Sequence, residues 1–120
     1  MRTLLAFALL STAATAQDAP AVIDVRLSNF DFTPSTIHLP AERPVTLHLV
    51  NAGNGGHNFA APEFFAAARS LSGPVERGRV EVAGNQSVDI RLTPARGTYR
   101  LRCTHTLHTA LGMSGEIVVQ

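Results

Sequence analysis

The stretch from Tyr99 to Gly115 carries residue types that could hold a metal ion. Cys103 is the only cysteine of the 120-residue chain, His108 lies five positions on, and Met113 five beyond that. One thiolate, one imidazole and one thioether on a single tight loop suit copper. A fourth candidate, His57, stands far upstream in the stretch NAGNGGHNFAAPEFF. Two histidines and a cysteine with a weak axial methionine form the ligand set of electron-transfer copper sites. Such a set leaves no open position for a substrate, which argues against catalysis at the metal.

The elements around these residues read as short strands. Residues 22–28 alternate, with Ile23, Val25 and Leu27 on one face and Asp24 and Arg26 on the other, as a half-buried strand does. Residues 29–34 read as a turn, 35–39 as a second strand, and 45–51 as a third between Pro44 and the glycine-rich turn NAGNGG. That turn delivers the chain to His57. Residues 62–69 form the one plausible helix, with Pro62 at its first position and Glu63 complementing its positive end. Residues 70–78 read as a loop. Strands follow at 79–82, 87–92, 98–103 and 116–119. The pattern predicts an all-β, two-sheet antiparallel sandwich of about seven strands.

In this arrangement Cys103 ends an inward-facing strand pattern, so its sulfur points into the sandwich. His108 and Met113 lie on the loop to the last strand, where Gly112 and Gly115 permit a sharp turn. His57 must come from another strand end. The fold, and not the sequence interval, has to hold the four together. A plainer alternative for Cys103 is an inert buried thiol, and for Met113 ordinary core packing. His105 is an alternative loop ligand, although Gly112 and Met113 keep register with His108. His38 and His48 fall on outward strand positions. Phe59, Phe64 and Phe65 read as core or as walls of the site.

The N-terminus has the grammar of a secretory leader: Arg2, an apolar run from Leu4 to Leu10, and Ala14-Thr15-Ala16 at the cleavage point. The expected division is a signal peptide at 1–16 and one domain at 17–120. The apolar run is far short of the ~18 residues of a membrane helix, so no lasting membrane anchor is expected. With Cys103 the only cysteine, the cleavage point has none to carry a lipid. Export places the domain in the periplasm. Without Arg2 the basic and acidic residues balance, which gives no reason to expect nucleic acid as a partner. All ten basic residues are arginine.

Tyr99, Cys103, His108 and Met113, with Gly112 and Gly115, resemble the C-terminal signature of the cupredoxins. The Cys-x4-His-x4-Met spacing is like that of rusticyanin and of the type 1 domains of multicopper oxidases. The resemblance extends to His57-Asn58-Phe59. It implies a cupredoxin-like Greek-key sandwich, one type 1 copper ion, and His57, Cys103, His108 and Met113 as ligands. It also implies that Asn58 ties the two ligand loops together near Thr104. It further implies that Leu107, Ala110 and Leu111 form an apolar rim through which His108 exchanges electrons with redox partner proteins. Multicopper oxidases place a histidine on each side of this cysteine. Here those places hold Arg102 and Thr104, so the chain is not expected to be part of such an oxidase.

The leading expectation is a periplasmic, monomeric one-electron carrier. A protein for copper storage, delivery or sensing is the rival, although Met113 is the only methionine beyond the leader. An enzyme is disfavoured, because no paired carboxylates, nucleophile elbow or further metal cluster accompanies the loop.

Overall fold

The computed structural model describes residues 8–10, 20–108 and 111–120. The leader read at 1–16 lies outside the described residues except for 8–10, as does Ala110. Two five-stranded sheets face each other across one core.

The first sheet has the order β2 (Asp31–Thr33), β1 (Ala21–Ser28), β4 (Val45–Asn51), β8 (Gln86–Thr93) and β6 (Arg69–Ser72). The second has the order β3 (Thr36–Leu39), β10 (Ser114–Val119), β9 (Gly97–Arg102), β5 (His57–Ala60) and β7 (Arg79–Val82). The expected alternation is visible in the burial. Val45, Leu47 and Leu49 on β4 are buried, while Thr46 and His48 between them are half-buried. Leu47 pairs with Ile23 on one side and Ile90 on the other, so one apolar row crosses three strands. From the opposite sheet Ile37, Leu101 and Ile117 complete the interior.

Several features differ from the sequence reading. Among the described residues there are ten strands and not about seven. β5 is not among the expected strands, because its four residues are all buried and show no alternation. The sheets are mixed, because β1 runs parallel to β4 and β3 parallel to β10. Inside the segment read as a turn, residues 31–33 form β2 and pair with β1. Within the segment read as a loop, β6 pairs with β8 at the edge of the first sheet.

The helix α1 covers Pro62–Ala67, shorter than expected. It has proline in its first turn, no side-chain cap, and buried Phe64 and Phe65. Ala68 is extended and leads at once into β6. Phe64 packs against Phe65 and Tyr99, with ring centroids 5.3 and 5.5 Å apart. The Tyr99 hydroxyl donates to the Ala95 carbonyl at 2.9 Å. This contact fixes the turn that feeds β9, the strand that leads to Cys103.

Candidate metal centre

The site lies at one end of the sandwich and is built from two directions. The first is β5. Asn51, at the end of β4, is 1% exposed and donates to the carbonyls of Gly55 and Val82, while its own carbonyl accepts from Gly53 N–H. This one buried amide holds the turn that hands the chain to His57. Within β5, His57 pairs with Val82 and Phe59 with Val80 of β7, so the imidazole starts from a fixed strand.

The second direction is the segment after β9. Cys103 N–H donates to the Met113 carbonyl at 3.1 Å, and Met113 N–H donates to the His108 carbonyl at 2.9 Å. His108 N–H donates to the His105 carbonyl at 3.1 Å. The loop therefore closes on itself through the backbones of its own candidate ligands. Gly112 supplies a positive φ of 96° at the bend, as expected. Gly115 serves differently: it sits in β10, where an added Cβ would come within 2.3 Å of the Ser35 carbonyl oxygen.

The donor atoms of His57, Cys103 and His108 all lie within 4.8 Å of one another. His57 Nδ1 is 3.1 Å from His108 Nδ1, and Cys103 Sγ is 3.3 Å from that same nitrogen. Separations near 3 Å are those of neighbouring ligands on one ion when each metal bond is about 2 Å. Cys103 and Met113 are fully buried, and His57 is 7% exposed. The residues therefore fit a metal, with two nitrogens and a sulfur converging at the edge of an apolar core. Asn58 N–H also points at the Cys103 sulfur, at 3.4 Å.

Burial holds the His57 imidazole below the ordinary histidine value of 6.5, and positive charge on His108 or His105 acts in the same direction. The neutral ring is the form that ligates metal.

Around these donors runs a second set of contacts. The Asn58 side chain donates to Thr104 Oγ1 at 2.7 Å and accepts from Thr104 N–H at 2.8 Å. It thereby ties β5 to the segment after Cys103, as the resemblance implied. The same amide donates to Glu81 on β7 at 3.0 Å, and the other Glu81 oxygen meets His105 Nε2 at 2.8 Å. Burial pushes the Glu81 carboxyl up. The hydrogen bonds from Asn58 and His105, with the charges of His105 and Arg79, outweigh it and hold the carboxyl below its usual value. His105 therefore faces Glu81, while His108 joins the donor cluster. His38 and His48 stand on the outer faces of opposite sheets and cannot share a site. His48 pairs instead with Asp89 at 2.5 Å.

A model described as a cupredoxin-like domain matches residues 1–119. The chain belongs to the cupredoxin-like family. For a cupredoxin-like domain with this donor set, the cofactor is one type 1 copper ion. Auracyanin B is similar in structure, with 25% identity and a TM-score of 0.65 over 85% of this chain and 91% of that one. Auracyanin A, a "blue" copper protein from the green thermophilic photosynthetic bacterium Chloroflexus aurantiacus, shares the fold at 20% identity and a TM-score of 0.62. That match covers 85% of this chain and all 100% of the other. The multicopper oxidase McoA from the hyperthermophile Aquifex aeolicus shares it at 16% identity and a TM-score of 0.63, over 90% of this chain but 31% of the oxidase. No curated protein sequence matches.

Three residues of this cupredoxin site went unread in the sequence. The sequence reading gives Asn51 only as the end of a strand and the start of a turn, and Glu81 only as part of the strand at 79–82. Phe30, taken as part of a turn, has its ring centroid 4.9 Å from that of His108. An asparagine closing an alternating strand before a glycine-rich turn was the available signal for Asn51.

Proposed function

We propose that this chain is an exported one-electron carrier in which His57, Cys103 and His108 hold one copper ion and Met113 is the weak axial ligand. The observation that carries the reading is the convergence of two Nδ1 atoms and one Sγ within 4.8 Å at the edge of the core. When bound, copper supplies a one-electron couple between Cu(II) and Cu(I).

The protein's own part is to keep the donors still. Cys103 supplies a thiolate, and the Asn58 N–H directed at its sulfur stabilises negative charge there, a contact that tunes the potential of such a site. Backbone hydrogen bonds from Cys103 to Met113 and from Met113 to His108 hold the loop in one shape. Little rearrangement then accompanies the change of charge. His108 lies at the rim, with Leu107 and Leu111 beside it at 69% and 60% exposure. Exposed apolar side chains around a half-buried ligand fit brief contact with a redox partner protein, and docking is assigned to this rim.

We further assign the chain to the periplasm as a monomer, with residues 1–16 as its removable leader. Among the described residues no helix is long and apolar enough to cross a membrane. A carrier is favoured over an enzyme because Arg102 and Thr104 occupy the places flanking Cys103 where multicopper oxidases carry histidines.

Voltammetry of the copper-loaded domain, with stopped-flow exchange against a small redox protein, tests the reading. Reversible, rapid exchange of one electron per chain is expected. Tight copper binding with slow or irreversible exchange would instead point to storage or delivery.

A further inference from the structure

Phe30 occupies the tip of the β1–β2 hairpin. Ser28 pairs with Asp31, so the connection is only Asn29 and Phe30. Both have positive φ, 52° and 59°. This is the pattern of a type I′ turn, whose second central position favours glycine. A Cβ in that conformation crowds the backbone, so phenylalanine is a strained choice there. Strain of this kind persists where the surrounding structure holds it, and it gathers at functional sites.

Core packing does not account for the residue. Phe30 is 39% exposed, whereas Phe32, two positions on, is 3% exposed and packs on Phe59 at 6.0 Å. Phe32 anchors the hairpin, and Phe30 faces the site. Its ring stands nearly perpendicular to His108, with centroids 4.9 Å apart and planes at 82°. It stands the same way to His57, at 6.4 Å and 81°. Edge-to-face contact at ~4.5–7 Å is a favoured aromatic arrangement. One exposed side chain on a separate hairpin thus stands edge-to-face to both candidate ligand imidazoles.

We propose that Phe30 is a positioning residue of the metal centre, whose ring fixes the His108 imidazole and closes the solvent side of the site. The inference rests on the copper reading above. Glycine at position 30 would suit the turn better, yet it would leave His108 without its outer wall. The strained residue is therefore explained by what its ring does at the site.

The test compares wild type, Phe30→Gly and Phe30→Leu. Glycine suits the turn, and leucine keeps apolar bulk if the glycine variant fails to melt cooperatively. In the copper-free proteins, NMR of the His108 ring should show greater motion in Phe30→Gly, with Phe30→Leu between it and wild type. In the loaded proteins, Phe30→Gly should lose copper to a strong chelator about tenfold faster, as loss of an outer contact does at other metal sites. Again leucine should fall between. Equal ring dynamics and equal copper loss in folded variants would overturn the proposal. Failure of wild type to bind copper would overturn the copper reading alone, since the ring measurement needs no metal.

Discussion

The two sides of the metal centre are built by opposite means. His57 and Cys103 belong to the interior: one is on a strand of the second sheet, the other directly follows one, and both are buried. His108 belongs to the rim. It is half-buried, preceded by an exposed Leu107 at φ 67°, and overlain by Phe30 at φ 59°. On the inner side, sheet pairing and the Asn58 amide hold the donors at little local cost. On the outer side, two bulky residues sit in the left-handed region, each at a cost of roughly 1–2 kcal/mol. The core thus stabilises a rim shaped for something other than stability. Burial of one large apolar side chain stabilises by ~1.5–3 kcal/mol, so a few core residues offset that strain.

The widest separation between the two sides should come from removing each imidazole. His108→Gly opens a half-exposed position that added imidazole can fill, so copper absorption should return on adding it. His57→Gly leaves a buried gap that β5 and β7 enclose, and the same addition should restore little. Equal rescue of both would erase the distinction. Next in size is Asn58→Ala. It removes a buried amide shared by Thr104 and Glu81 and should lower stability by ~1–3 kcal/mol in denaturant titration.

A smaller effect of opposite sign is expected at Leu107→Gly. Relief of ~1–2 kcal/mol of strain is partly offset by ~0.5–1 kcal/mol of added chain entropy. Stability should hold or rise slightly, while the rate of electron exchange with a partner protein falls. A rate equal to wild type would remove Leu107 from the docking rim.

The smallest expected effect concerns pH in the copper-free chain. His57 has a folded-state pKa below its ordinary value of 6.5, chiefly through burial. The unfolded chain therefore binds the proton more readily. The stability this neutral ring contributes is present above 6.5 and is lost as pH falls through the interval below it. The thermal midpoint should decline over that range, and less steeply in His57→Gln.

Much of this was legible because it is local. β4 was read residue for residue, since strict alternation runs unbroken between Pro44 and the glycine-rich turn. Cys103, His108 and Met113 announced themselves by type and spacing on one loop. β6 was missed because all four of its residues are exposed, which leaves no alternation to read. β2 was missed because three residues beside Pro34 look like a turn. The parallel pairing of β1 with β4 depends on where distant segments meet, which periodicity does not encode. The same holds for Phe30 and Glu81, whose roles arise from contacts across strands far apart in sequence.

The most direct test of the central claim is a Cu(II) titration of the domain from Gln17 to Gln120, followed by visible absorption, beside Cys103→Ser. An intense thiolate-to-copper band is expected, saturating at one copper per chain and absent from a folded Cys103→Ser variant. A folded wild-type chain without that band, or a band that survives the loss of Cys103, would contradict the claim.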